Sequence, residues 1–452
     1  MGLPSFISLV RFAEEKAAFP SALRRFLRKI FCRIFCLRFS DVYDILFPKK
    51  MQVFFSHGHL IKKEVLIMTE KKPMRIALLG LGTVGYGVYE YIRDREDMVV
   101  ACAMSLVVPD DVTCPIITNI EEIFADSSID TVVEVIGGLH PAYEWVSGAL
   151  KAGKNVVTAN KLLIARHYRE LVSLAKEKGV ALRCTAAAGG GIPWLTSLSH
   201  CVQQEPVVEI SGIMNGTTNF MLDTMHTTGG SFDAALKQAQ RLGYAEANPA
   251  DDLNGADVRR KLVISSNIAY GCVIDEADVS TEGIEHVTDA DIVSFRSLGR
   301  ICKLIAESRK LENGVAAFIE PSLVPPSMPE SAIPENYNLI SLVGEHIGKQ
   351  SFYGQGAGRY PTAYNVLQDC VDILGGVRCF YTDRLDAVSV DNSAVLRTYY
   401  VRTNGSDRWL QDKTDRVLDC GLITKPVSVA EIHAWAKQRR AADPDCFIAS
   451  LR

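Results

Sequence analysis

The sequence lacks any apolar run approaching the length of a membrane span, so helices threaded through a bilayer are not its organising plan. It lacks a dominant charge as well. Its 49 Lys and Arg against 53 Asp and Glu leave a formal net charge of −4, with no footprint of a nucleic-acid partner. It also lacks cysteine pairs at redox or metal spacing. The 12 cysteines are scattered, and Cys32 and Cys36 stand one residue too far apart for a CxxC pair. A reduced, cytoplasmic protein is therefore expected rather than a disulfide scaffold. What is present is a chain of 452 residues with ordinary apolar and charged fractions. That length suffices for two or three domains with cores of their own.

Residues 1–67 do not match the remainder. The stretch 23–39 mixes Arg, Phe and Cys, a pattern that a membrane-surface helix or an organelle transit peptide would share. The expectation adopted is that this segment is translated upstream sequence, with Met68 as the natural start. Codons for Lys63-Glu64-Val65 can contain a bacterial ribosome-binding sequence at a usual distance from Met68. The intact mass of the native protein tests this; a mass that includes residues 1–67 would contradict it.

After Met68 the pattern becomes regular. Residues 74–79 form a short apolar run of buried-strand type that leads directly into Gly80-Leu81-Gly82-Thr83-Val84-Gly85, and residues 87–95 read as a helix. Strand, glycine turn and helix form the context a dinucleotide fingerprint requires. Gly80 permits the tight turn, Gly82 lets the backbone approach a pyrophosphate, and Gly85 allows close helix–strand packing. The helix N-terminus offers free N–H groups to the phosphates. A plain strand–helix turn is the alternative. The second strand, 99–104, ends at Ser105-Leu106, with neither the ribose-binding acid nor a cation for a 2′-phosphate, so NAD and NADP stay equally open. Further strands at 131–136 and 155–158, separated by helical stretches, predict a parallel sheet with ligands at the strand C-terminal ends. Lys161 sits at such an end, as a site residue or a solvated surface lysine.

Ala188-Gly189-Gly190-Gly191-Ile192-Pro193 breaks the alternation, for close backbone approach, for cation-binding carbonyls, or as a hinge. Ile213-Met214-Asn215-Gly216-Thr217-Thr218-Asn219 is a strand end running into a small polar turn, which lines a pocket or caps a helix. Residues 232–242 read as an amphipathic helix closed by Gly243. The segment 243–261 then packs Glu246, Asp251, Asp252 and Asp257 ahead of Lys261. Asp257 and Lys261, four apart, share a helix face. Alone they are better explained by a surface ion pair worth ~0.3–0.5 kcal/mol than by a held proton donor.

These motifs, with Thr158–Lys161 and Gly354-Gln355-Gly356-Ala357-Gly358-Arg359-Tyr360-Pro361-Thr362-Ala363, occur in one order over residues 74–376. In that order the chain resembles homoserine dehydrogenase. The resemblance implies NAD(P)H-dependent reduction of aspartate 4-semialdehyde to homoserine. It implies Lys261 as proton donor, Asp257 as the acid that orients it, and Glu246 as the carboxylate for the substrate ammonium. Asp252 is implied as a second acid of the pocket, and Lys161 as a lysine near both nicotinamide and substrate. Gly80, Leu81, Gly82, Thr83, Val84, Gly85 and Gly87 are implied as the pyrophosphate loop. Physical chemistry agrees: an ammonium calls for a carboxylate, and a lysine ammonium offsets charge building on a carbonyl oxygen. A homodimer or homotetramer is implied too. The family's monovalent cation, sodium, would face the carbonyls of Ala188, Gly190 and Ile192, but Thr185 stands where the family usually has an anionic glutamate ligand. Asn248 likewise replaces an acid.

The expected class is α/β. A Rossmann-type domain (68–190) is followed by an α+β substrate and dimerisation domain (191–345) and a return to the cofactor domain (346–376). The tail (377–452) is expected to be a small α+β unit resembling a shortened ACT domain, with strands at 396–402 and 446–451, helices at 408–418 and 429–441, and a short strand at 423–424. Two other readings compete with the leading one: a Rossmann oxidoreductase acting on another amino-acid aldehyde, and a silent NAD-binding regulator.

Overall fold

The computed structural model describes residues 72–378 and 385–452; the expectations for residues 1–67 lie outside the described residues. The chain opens with alternating strands and helices: β1 (Met74–Leu79), α1 (Thr83–Ile92), β2 (Met98–Met104), α2 (Ile120–Ala125), β3 (Thr131–Glu134), α3 (Ala142–Lys151), β4 (Asn155–Thr158), α4 (Lys161–Lys178) and β5 (Leu182–Arg183). The five strands are parallel in the order β2-β1-β3-β4-β5. Ile116 adds one parallel bridge beyond β2, at Ala103. The chain reverses its direction of travel across the sheet between β1 and β3, where doubly wound sheets open a crevice for a dinucleotide. This is the Rossmann-type unit.

The second layer begins with α5 (Trp194–Gln204), β6 (Val207–Ile213), α6 (Gly216–Thr228), α7 (Phe232–Arg241), α8 (Ala250–Leu253) and α9 (Ala256–Tyr270). It continues through β7 (Cys272–Val273), β8 (Ser280–Thr281), α10 (Asp289–Ser297), β9 (Ile301–Lys310), β10 (Val315–Val324), β11 (Tyr337–Gly344) and β12 (Gly348–Gln355). α9 is nearly all buried, with Val258, Leu262, Val263, Ile264 and Ile268 in the main core. It is pinned to α5 by a hydrogen bond from Trp194 Nε1 to Ser265 Oγ at 2.8 Å. A helix held this way makes a rigid platform for its first turn.

Helix α11 (Arg359–Leu374) then returns to the nucleotide-binding layer, where Ala363, Val366, Leu367 and Cys370 share a core with Met74, Ile76 and Leu78. The return begins later than expected from sequence. Residues 348–355 form β12, which pairs antiparallel with β11 and so stays with the substrate sheet. The triple glycine lies where the layers cross. A Cβ on Gly190 would run into the Gly356 carbonyl, and Gly191 N donates to Gln355 O at 3.0 Å. Close backbone approach, one of the three readings, accounts for the run.

The remainder comprises β13 (Asp386–Ala387), β14 (Leu396–Arg402), α12 (Arg408–Lys413), β15 (Thr414–Val417), β16 (Leu422–Thr424), β17 (Val427–Ser428), α13 (Val429–Arg439) and β18 (Phe447–Leu451). Apart from the two-residue β17, β14 to β18 run strand-helix-strand-strand-helix-strand, in the sheet order β18-β14-β16-β15. The helix expected over 408–418 stops at Lys413, because residues 414–417 turn extended to pair with β16. The tail joins the substrate sheet through parallel pairing of β18 with β10. Beneath that joint, Glu307 meets Arg397, Arg452 and Arg309 at 2.6, 2.7 and 2.7 Å, and Glu320 meets His433 at 2.9 Å. Both glutamates are fully buried.

Candidate active site

The floor of the site is the row of strand ends in the parallel sheet. β3 ends on Glu134, which is fully buried. Its carboxylate accepts from Ile136 N at 2.9 Å, Gly137 N at 3.2 Å and Thr158 Oγ1 at 2.5 Å. One side chain thus ends the strand two residues earlier than its apolar run suggests and ties it to β4. Burial pushes the Glu134 carboxyl up, against these hydrogen bonds. Asn160 caps α4 by accepting from Leu163 N at 3.1 Å, which sets Lys161 at the first helical position.

The glycine loop sits beside this floor. A Cβ on Gly85 would collide with the Gly80 carbonyl oxygen, so the turn accepts no side chain there. Leu81 N is held by Ser105 Oγ at 3.1 Å, which employs the residue standing where a ribose-binding acid would be. Helix α1 starts at Thr83, four residues earlier than the sequence suggested, because Gly85 and Gly87 lie inside it. Gly87, expected in the phosphate loop, faces α11 and is not part of the cavity lining. Its missing side chain makes room for Arg359 and Ala363 of α11. Thr83 and Val84 face the cavity.

The cavity has a volume of about 830 Å³ and joins the two layers. Along with Thr83 and Val84 it is lined by Gly137, Lys161, Asn215, Thr217, Glu246, Asp252, Asp257, Lys261, Asn336 and residues 355–358. A larger hollow of about 880 Å³, beside α4 and Glu276, holds none of the expected site residues.

Asp257 is the hub. It lies in the first turn of α9 and is buried. Its Oδ2 accepts from Lys261 Nζ at 2.7 Å and from Asn215 Nδ2 at 2.9 Å, and its Oδ1 meets Lys161 Nζ at 3.0 Å. Burial opposes its charge, but Lys261 and Lys161 outweigh burial and hold the carboxyl well below the usual carboxylate range. In return, Asp257 raises the pKa of Lys161 against desolvation. Lys261 also donates to Met214 O at 2.7 Å. An ammonium has three protons, so the third is free to point at a ligand in the cavity.

Asn215 organises the other acid. Its Oδ1 caps α6 at Thr218 N, 2.8 Å away, while its Nδ2 bridges Asp257 and, at 2.7 Å, Asp252 Oδ1. Burial raises the Asp252 carboxyl, and Asp257 adds to that rise. Glu246 is exposed at the cavity rim. The expected residues Lys161, Glu246, Asp252, Asp257 and Lys261 thus line one cavity. Sequence reasoning took Asn215 as part of a polar turn and did not single out Glu134 or Asn336. For Glu134 the signal was an acid closing an otherwise apolar strand.

The turn from Thr185 to Ile192 forms the wall behind the floor. Thr185 donates from N and Oγ1 to Asp369, at 2.8 and 2.6 Å. Two of the three carbonyls expected to face a cation are already engaged: Asn365 Nδ2 donates to Gly190 O at 2.5 Å and to Ile192 O at 2.9 Å. The cation expectation had no means of seeing Asn365, which arrives from α11. Among the described residues, no group of acids, His and Cys is placed to hold a metal ion.

Comparison with known proteins places this geometry in context. Residues 193–371 match the profile described as homoserine dehydrogenase, and residues 80–185 match that described as homoserine dehydrogenase, NAD binding domain. A homoserine dehydrogenase of Bacillus subtilis is 36% identical over 321 residues, 68% of this chain and 74% of that protein. One from Pseudomonas aeruginosa is 36% identical over 359 residues, 74% and 83% of the two chains. The crystal structure of a homoserine dehydrogenase from Thiobacillus denitrificans superposes with a TM-score of 0.77 at 33% identity, covering 84% of this chain and 98% of that one.

Proposed function

The chain belongs to the homoserine dehydrogenase family, and we propose that Lys261 is its proton donor, aimed by Asp257. Its reaction is the family's reversible, NAD(P)H-dependent reduction of L-aspartate 4-semialdehyde to L-homoserine, a step toward threonine and methionine. The nicotinamide, when bound, supplies the hydride to the aldehyde carbon.

The remaining work falls to side chains of the chain itself. Charge that builds on the aldehyde oxygen meets the free proton of Lys261, which is donated as the alcohol forms. In the oxidation direction the same nitrogen takes the hydroxyl proton. Asp257 keeps Lys261 in place and, by holding Lys161 as well, sets a second cation beside the same oxygen. Glu246 takes the substrate ammonium at the rim, and Asp252 completes the acidic side of the pocket. Thr83, Val84 and the glycine turn from Gly80 receive the pyrophosphate at the α1 N-terminus.

The observation that carries this assignment is the buried contact of Lys261 Nζ with Asp257 and Met214 O, at 2.7 Å each, in the wall of a cavity that the glycine loop also lines. Purified chain mixed with homoserine and NAD or NADP tests the assignment. Nicotinamide absorbance should rise, and either cofactor remains open because Ser105 supplies neither an acid nor a cation. No turnover with either would favour the silent-regulator reading.

We also propose a homodimer or homotetramer built through the substrate layer, where β12 presents the exposed Tyr353 and the turn before it presents the exposed Ile347. Light scattering on the purified chain would show a monomer if this is wrong. A cytoplasmic location completes the proposal. The nine described cysteines are free and would stay reduced there. No described helix is long and apolar enough to cross a membrane.

A further inference from the structure

We infer that Asn365 is a built-in replacement for the monovalent cation, so the active-site wall of this chain is organised without sodium or potassium. The turn in question lies against the site: Ala186, Ala187 and Gly190 line the same cavity as Lys261. Asn365 is fully buried on α11, and its amide nitrogen touches Gly190 O at 2.5 Å and Ile192 O at 2.9 Å.

A hard cation needs several oxygen ligands converging on it. Here the amide N–H groups already occupy two of the three carbonyls an ion would share. Asn365 Oδ1 has no hydrogen-bond partner, so all the bonding of this amide goes into the turn. Turned over, the amide would set oxygen against two carbonyl oxygens, which the donor pattern excludes.

The charge balance points the same way. Thr185 stands at the position of an anionic ligand. The nearest carboxylate to it, Asp369, is fully buried and already committed: it accepts from Thr185 N and Oγ1, and from Arg183 Nε at 2.9 Å. Arg183 is itself buried and also pairs with Asp372. The buried Asp369 charge beneath the turn is therefore paired with an internal guanidinium, which the more exposed Asp372 shares. An amide and a guanidinium on the chain do the work that an ion and a free carboxylate would otherwise share. Asn365 is a positioning residue: it touches neither substrate nor cofactor and acts through the shape of the turn.

The test uses the full chain in tetramethylammonium chloride, titrated with NaCl or KCl at constant ionic strength. Melting temperature and homoserine oxidation rate are read at each point. An ion that binds the folded chain raises its melting temperature by mass action. The expected result is that both readouts stay flat in the unaltered chain. A saturable rise in either with Na⁺ or K⁺ would overturn the inference. Asn365→Asp supplies the second arm, because it exchanges the donor for a carboxylate facing the same carbonyls. Its melting temperature should fall in tetramethylammonium and recover with NaCl. A variant that melts like the parent and ignores both salts would also overturn it. The melting arm does not depend on turnover, so a failure of the proposed activity and a failure of this inference are distinguishable.

Discussion

Asp257 carries two lysines on one carboxylate, and each part of that arrangement has a measurable consequence. Its folded pKa lies below the unfolded value, so its stabilisation is complete above the ordinary carboxylate range and is lost as pH falls through the folded value. Lys161 is the reverse case. Its raised pKa makes its contribution complete below the unfolded lysine value and lost only as pH rises through the folded one. Asp257→Asn should therefore pull the Lys161 pKa down, since Asp257 is the largest cause of the rise. The alkaline limb of the kcat/KM profile is expected to move to lower pH in this variant; an unmoved limb would dissociate Lys161 from the reaction. The glycine turn gives a second residue-scale prediction. Gly85→Ala forces a Cβ into the Gly80 carbonyl, so KM for the cofactor should rise steeply while a fold anchored in the substrate layer persists. Equal cofactor affinity in the variant would show that the turn yields without loss. Much of the site was legible at this scale, because Lys261, Asp257, Asp252 and Glu246 fall within one short segment. Asn365 and Asp369 were not. They lie far along the chain from the turn they serve, and neither carries a local signal.

At the scale of elements, the helix starts place the chemistry. Asn160 caps α4 one residue before Lys161, and Asn215 caps α6 one residue after the carbonyl that holds Lys261. Removing a cap of this kind costs about 1 kcal/mol. Asn160→Ala is expected to lower the melting temperature slightly but to depress kcat out of proportion, because the cap also sets the position of Lys161. Losses in step would reduce Asn160 to a structural cap. Elements with strong patterns were readable in advance: the apolar run of β1, the helix at 232–242 and its closing glycine. Those that depend on a partner were not. Thr414–Val417 turned out extended because β16 lies beside it, and β12 stayed with the substrate sheet because β11 holds it.

At the scale of the whole molecule, the tail is joined to the catalytic sheet by buried charge as well as by strand pairing. Glu307 lies under three arginines, one from β9, one from β14 and one at residue 452. Removing one partner of a buried ion pair costs about 3 kcal/mol or more, although Arg309 and Arg452 would still face Glu307. Arg397→Ala should therefore lower the melting temperature of the entire described unit in one transition. Two separated transitions would mean that the tail unfolds by itself. The local sequence pattern indicated a strand-and-helix tail. That β18 extends the substrate sheet was not visible in it, since parallel pairing with β10 leaves no local trace.

The central claim is that Lys261 donates the proton, and the most direct test is a comparison of chemistry with binding in Lys261→Met. Nicotinamide absorbance with homoserine reports turnover, and quenching or enhancement of nicotinamide fluorescence reports cofactor affinity. Loss of a general acid removes about 10²–10⁴ in rate. A kcat loss in that range is expected, with cofactor affinity unchanged. A variant that turns over within about tenfold of the parent, or that loses activity only because it no longer binds the cofactor, would contradict it.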